Sequence, residues 1–239
     1  MSNKACVPDV DTVVLAGGKG SRLREVYPDV PKILVPIRGK TILEWQLECL
    51  RQRNLGRIIL SLGYMADKVI EFINRKSIKD VFWFVEDKPL GTGGAIPLIH
   101  ERFNLTSPFF VINGDTVLRV DYRKCLAFHW ERNSDITVIV KREEGLKDIG
   151  SVELDEDSRV LSFEEKVGNK SSFINAGCYC FTFSRVKELF NKDYLSIECD
   201  IIPLAVKSGK RVYGFEITKG FYDFGTIEKI RKYAALIDK

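Results

Sequence analysis

Residues 12 to 23 read TVVLAGGKGSRL, a short β-branched and apolar run that breaks at once into three glycines and two basic side chains. A buried strand running straight into a glycine-rich turn opens a strand-turn-helix unit. At the carboxyl end of such a strand the backbone N–H groups can bend toward an anion. Lys19 and Arg22 add full positive charge, which makes the turn from Leu15 and Ala16 through Gly17, Gly18, Lys19 and Gly20 a candidate phosphate cradle. It is not a Walker A loop, because Gly18-Lys19 is followed by Gly20-Ser21 and not directly by Ser or Thr. Nor is it the dinucleotide fingerprint, whose third glycine would fall on Leu23. Read alone, it is equally a tight turn with incidental basic residues.

Outward from this stretch, short strand-like runs alternate with helical ones: Arg57 to Leu62, Val81 to Val85, Phe109 to Asn113 and Ile136 to Lys141. Alternation of this kind predicts right-handed βαβ units and an α/β fold with a Rossmann-like, mostly parallel sheet flanked by helices. Thr41 to Asn54 opens with Thr41 and Glu44 in capping-box spacing and sets Leu43, Leu47 and Leu50 on one face. Met65 to Arg75 repeats the pattern. After residue 148 two alternating runs around a polar turn predict an antiparallel hairpin leading into a strand from Phe173 to Phe183. Lys210 to Thr218 reads as a further strand, and an amphipathic helix starts at Thr226. No linker or repeat interrupts the chain, so one domain over 1–239 is expected.

The 239 residues carry 37 Lys and Arg against 33 Asp and Glu, a formal charge of +4. Charge so evenly spread argues against a nucleic-acid partner. The absence of a long apolar run or a signal-like start argues against a membrane and for the cytoplasm. The six cysteines read as reduced core residues, Cys178 and Cys180 pointing to one face of a strand with no further zinc ligands in pattern. His100 and His129 have no nucleophile pattern around them and read as structural. No exposed apolar stripe marks an oligomer interface, and a homo-oligomer is left open.

Three further segments bear on the loop. PKILVPI at 31–37 brings Lys32 close behind it, LGTGGA at 90–95 is a second glycine-rich strand-to-helix turn, and NGD at 113–115 ends a strand in a carboxylate. In an open parallel sheet these strand ends face one crevice, where ligands bind.

LAGGKGSRL, PKILVPI, LGTGGA, NGD, FEEK at 163–166, NAGCY at 175–179 and FYDFGT at 221–226, in this order, resemble the sugar nucleotidyltransferases over almost the whole chain. Within that family EDKPLGTGGA, FINAGCY and SIECD before FYDFGT look most like the short bacterial guanylyltransferases for D-glycero-α-D-manno-heptose 1-phosphate, and less like the mannose-1-phosphate enzymes. The resemblance implies a nucleotide-binding half over about 1–148 and a sugar-phosphate half, containing the hairpin subdomain, over about 149–239. It implies GTP and a sugar 1-phosphate as substrates and Mg2+ as cofactor.

By resemblance Arg22 lies over the β and γ phosphates and Lys32 near the reacting phosphoryl group, with Gly91 and Thr92 also on the nucleotide. Asp115 and Asp223 match the magnesium ligands. Lys166 grips the sugar phosphate, Glu165, Asn113 and Asn175 meet the sugar, and Gly150 brings its backbone close to it. Glu198 is expected toward the exocyclic carbons. The heptose relatives usually carry Tyr-Gly where this chain has Ile149-Gly150. Guanine offers N1–H and N2–H donors on one edge, and a carboxylate accepts from both, a role for which Glu86 is placed.

Two other classes are weaker. A nucleotide-sugar-dependent glycosyltransferase would end a strand in Asp-x-Asp, whereas Asp9-Val10-Asp11 precedes the first strand and Asp155-Glu156-Asp157 occupies a turn. A non-catalytic relative would have lost charge that this chain retains at Arg22, Lys32, Asp115, Lys166 and Asp223.

Overall fold

The computed structural model describes residues 9–52, 55–142, 151–164 and 173–237. The first part of the chain forms β1 (Thr12–Ala16), the short β2 (Pro36–Ile37) and β3 (Lys40–Thr41), α1 (Ile42–Arg51), β4 (Ile58–Leu62), α2 (Ala66–Arg75), β5 (Val81–Val85), α3 (Gly91–Phe103) and β6 (Phe109–Asn113). Then follow β7 (Thr116–Leu118), α4 (Tyr122–Glu131), β8 (Ile136–Arg142), β9 (Ser151–Leu154), β10 (Val160–Glu164), β11 (Phe173–Phe181), α5 (Ile202–Lys207), β12 (Val212–Ile217), β13 (Phe221–Asp223) and α6 (Ile227–Ala234). The sequence patterns find the longer strands, α1, α2 and the last helix with ends displaced by a few residues, while β2, β3, β7 and β13, of two or three residues each, are too short to show a period. Phe183, for example, opens a 3-10 turn and does not close β11.

A nine-stranded sheet runs β10-β9-β11-β6-β1-β4-β5, with β8 joined to β11 and β12 to β8. β6, β1, β4 and β5 pair in parallel. Within this sheet the antiparallel pairings all involve β11 or the β9–β10 hairpin, which therefore extends it, while β7–β13 and β2–β3 form separate two-stranded antiparallel pairs.

Alternate residues of the strands feed two hydrophobic layers. On one face Val14 packs with Leu43, Leu47 and Leu50 of α1 and with residues of α2 and α4. On the other, Val13 packs with Ala95, Ile96 and Ile99 of α3 and with α5. Burying each of the three α1 leucines contributes roughly 1.5–3 kcal/mol. The expected capping box of α1 forms, Thr41 Oγ1 accepting from the Glu44 backbone N–H at 3.2 Å and Glu44 Oε2 from that of Thr41 at 2.8 Å. No helix among the described residues is long and apolar enough to cross a membrane.

Candidate active site

The carboxyl ends of β1, β4, β5 and β6 open onto a cavity of about 840 Å³. Its wall includes the whole turn from Leu15 to Gly20, Arg22, Lys32, Glu86, Gly91, Thr92, Asn113, Asp115 and Glu198. The three strand ends singled out in the sequence therefore do converge. Close backbone approach fixes the turn. Tyr64 N–H donates to Gly17 O at 3.1 Å, and a side-chain carbon at Gly63 would lie 2.9 Å from that oxygen. Gly20, at φ +59, packs on the Lys32 stem, where a side-chain carbon would come within 3.0 Å of Lys32 Cβ. Leu23 anchors the turn in a third apolar cluster with Trp45 and Phe224. Lys19 and Arg22 stay exposed at the mouth.

Asp115 and Asp223, 108 residues apart in the numbering, are brought together by a short antiparallel pairing of β7 with β13 in which Asp223 faces Thr116. The Phe224 N–H donates to Asp115 O at 2.8 Å. A side-chain carbon at Gly225 would lie 2.9 Å from Asp115 Oδ2 and 3.0 Å from Asp223 Oδ1, so the two carboxylates crowd one point that only glycine leaves open. Lys32 forms an ion pair with Asp115, and Lys229 of α6 with Asp223. Burial alone would raise the Asp115 carboxyl, but the Lys32 ammonium and the Arg22 charge hold it below the usual carboxylate range. Gln46 of α1, 3% exposed, donates through Nε2 to Asn113 O at 2.9 Å and Thr116 O at 2.6 Å, fixing the Asn-Gly-Asp turn from beneath.

Two carboxylates on a shared open point fit magnesium, which takes oxygen ligands and needs only one or two carboxylates from the protein. Among the described residues no group of three or more His, Cys, Asp or Glu could hold a metal by itself.

Against Gly17 of the turn, Glu86 Oε1 accepts from Ser61 Oγ at 2.8 Å and Oε2 from Leu90 N–H at 3.2 Å. Burial raises its pKa, and those two bonds oppose the shift. Glu198 lies deeper than expected from its place in SIECD. Its Oε1 accepts from Tyr179 OH at 3.0 Å and Asn113 Nδ2 at 3.4 Å, and its Oε2 from Thr92 Oγ1 at 2.7 Å and Ser196 Oγ at 3.1 Å. Asn175 reaches this cluster by donating from Nδ2 to Tyr179 OH at 2.7 Å, while its Oδ1 accepts from Gly177 N–H at 2.9 Å. Gly177 has φ +65 and sits where the β11–β8 register breaks.

Neither Asn175 nor Asp223 is on the cavity wall itself. Gly150, Glu165 and Lys166 lie outside the described residues. Gln46, Ser61, Tyr179 and Lys229 escaped the sequence reading because each acts through a partner that no sequence spacing names: Gln46 and Ser61 through distant segments, Tyr179 through Asn175 and Glu198, and Lys229 through Asp223 across the turn before α6. Only the tyrosine carried a signal, as part of NAGCY.

Such a site, on such a sheet, defines a nucleotide-handling transferase, and residues 11–239 match the family described as Nucleotidyl transferase, to which the chain belongs. The chain is 31% identical over 231 residues to a D-glycero-alpha-D-manno-heptose 1-phosphate guanylyltransferase of Aneurinibacillus thermoaerophilus, covering 93% of this chain and 96% of that one. It is also 31% identical over 223 residues to a mannose-1-phosphate guanylyltransferase of Mycobacterium tuberculosis, covering 92% of this chain and 62% of that one. Across its curated relatives it thus spans from about half to nearly all of their length. The crystal structure of HddC from Yersinia pseudotuberculosis superposes with a TM-score of 0.84 at 34% identity, over 95% of this chain and 98% of that one. The same protein is known complexed with GMP-PN.

Proposed function

We propose that this chain transfers the GMP moiety of GTP to D-glycero-α-D-manno-heptose 1-phosphate, releasing pyrophosphate, with magnesium held by Asp115 and Asp223. The observation that carries this reading is the convergence of the 15–22 turn, Lys32, Glu86 and Asp115 on one cavity. GTP as donor is supported by the two guanylyltransferase relatives and by the GMP-PN complex of HddC. The heptose is supported by a relative of nearly equal length. Mannose 1-phosphate is the alternative sugar, on the strength of the second relative. Cys125, Cys178 and Cys180 are buried as free thiols, which suits a reducing cytoplasm.

The attacking oxygen of a sugar 1-phosphate is already an anion, so the reaction needs no general base. Catalysis reduces to bringing two polyanions together in line. Lys19, Arg22 and Lys32 supply the positive charge, Arg22 at the mouth stabilising the departing pyrophosphate and Lys32 the reacting phosphoryl group. Asp115 and Asp223 would hold magnesium, which would supply further positive charge against the phosphates. We assign Asn113 and Asn175 to the sugar, and the family resemblance adds Gly150, Glu165 and Lys166 as further sugar-phosphate residues. Glu86 keeps an acceptor position on each oxygen for guanine N1–H and N2–H.

A matrix of nucleoside triphosphates against sugar 1-phosphates, scored by product mass, tests the reading. GTP with the heptose phosphate should give the highest kcat/KM. Equal or better turnover of mannose or glucose 1-phosphate would overturn the heptose, and no product with any pair would overturn the activity. Glu86→Gln should erode the GTP over UTP preference about tenfold or more. An unchanged ratio removes Glu86 from base reading.

A further inference from the structure

The Glu198 carboxylate accepts four hydrogen bonds from four separate stretches of chain: Thr92 at the start of α3, Asn113 at the end of β6, Tyr179 in β11 and Ser196. A carboxylate offers about four lone-pair positions, two on each oxygen, so all of them are in use. A sugar hydroxyl would have to displace one of these donors, and three come from rigid elements or their ends. Tyr179 is fully buried, and burial together with the Glu198 charge pushes its phenol up, so it stays a donor. Its oxygen is at the same time the acceptor for Asn175 Nδ2 at 2.7 Å. Thr92 Oγ1, at the other end, also accepts from Ile197 N–H at 2.8 Å. An unbroken run of hydrogen bonds therefore leads from the glycine-rich turn at Thr92 through Glu198 and Tyr179 to Asn175.

We propose that Glu198 and Tyr179 are positioning residues that tie the nucleotide-side turn at Thr92 to Asn175 on the sugar side, and that neither touches substrate. This rests on the assignment of the two sides made above, and it revises the expectation that Glu198 reads the exocyclic carbons. The tie has a direction. Glu198 holds Thr92 directly and Asn175 only through Tyr179, so loss of Glu198 loosens both sides, whereas loss of the Tyr179 hydroxyl loosens the sugar side alone. A ligand to the sugar would instead disturb sugar binding only.

Glu198→Gln and Tyr179→Phe in the full chain separate these cases, with GTP affinity measured calorimetrically without sugar phosphate and sugar KM from pyrophosphate release. Glu198→Gln should weaken GTP binding and raise sugar KM, each about tenfold. Tyr179→Phe should raise sugar KM about tenfold and leave GTP affinity within twofold. Unchanged GTP affinity in Glu198→Gln overturns the tie and returns Glu198 to the sugar. Should that variant fail to fold, Tyr179→Phe decides: the two constants moving together, or not at all, overturn the proposal. If the wild type binds GTP but uses no sugar 1-phosphate, the activity reading fails, while the GTP affinity of Glu198→Gln still decides this one.

Discussion

Gly225→Ala is the smallest change that enters the point shared by the two aspartates. The added carbon would lie 2.9 Å from Asp115 Oδ2 and 3.0 Å from Asp223 Oδ1, closer than carbon and oxygen tolerate, and 3.9 Å from Asp115 Cγ. The backbone at 225 is not in the left-handed region, so the substitution brings no intrinsic strain and would by itself stabilise the chain by roughly 0.4–1 kcal/mol through the unfolded state. The clash must be relieved by moving a carboxylate. Asp223 Oδ1 accepts from the Gly225 N–H at 2.7 Å and its Oδ2 pairs with Lys229, while Asp115 pairs with Lys32. Losing one charge-assisted bond costs roughly 1.5–3 kcal/mol, so net stability should fall by roughly 0.5–2.5 kcal/mol, with the fold kept. The chemical cost should be larger. Magnesium needs its oxygens at about 2.1 Å in near-octahedral array, and a methyl between the ligands forbids it, so kcat/KM should drop at least about a hundredfold. Pyrophosphate release gives the rate, and manganese titration followed by electron paramagnetic resonance gives the metal directly. Wild-type kcat/KM and unaltered manganese binding in a folded Gly225→Ala protein would refute the shared site.

Two stability predictions follow from the interior. His129 sits between Thr137 and Thr182 at 2.8 Å each, and burial pushes its pKa down to about 4. Unfolded, it titrates near 6.5, so below that pH the unfolded chain takes up a proton that the native one refuses. Stability should fall by roughly 2 kcal/mol between pH 7 and pH 5 from this residue and level off below pH 4. Urea unfolding of His129→Gln should show that much less acid dependence, and an identical slope would refute it. Gln46→Leu keeps volume but leaves the carbonyls of Asn113 and Thr116 without their buried donor, at a cost of roughly 1–3 kcal/mol, together with a lower kcat from a loosened Asp115. A melting point and kcat equal to wild type would show that the Asn-Gly-Asp turn holds itself.

Much of this protein was legible as sequence, because its signals are local. Strand and helix periodicity, the Thr41–Glu44 cap and the glycine turns each depend on residues a few positions apart, where backbone geometry and side-chain alternation act directly. The convergence of Gly17, Gly91 and Asp115 could be inferred as well, since parallel strands joined by helices must present their carboxyl ends on one edge. Tertiary structure alone decided the partnerships. That Asp223 meets Asp115 follows from a three-residue pairing of β7 with β13, too short to leave a periodic pattern. Gln46 beneath the Asn-Gly-Asp turn and Ser61 on Glu86 join segments far apart in sequence, and even the short-range pairing of Lys229 with Asp223 depends on the turn between β13 and α6, because a polar residue's letter does not say which donor or acceptor it satisfies. Glu198 makes the contrast plainest: the sequence marked it as part of a motif, but whether its oxygens face substrate or protein depends on Thr92, Asn113 and Tyr179 from three other segments, and only the folded chain brings those to one point.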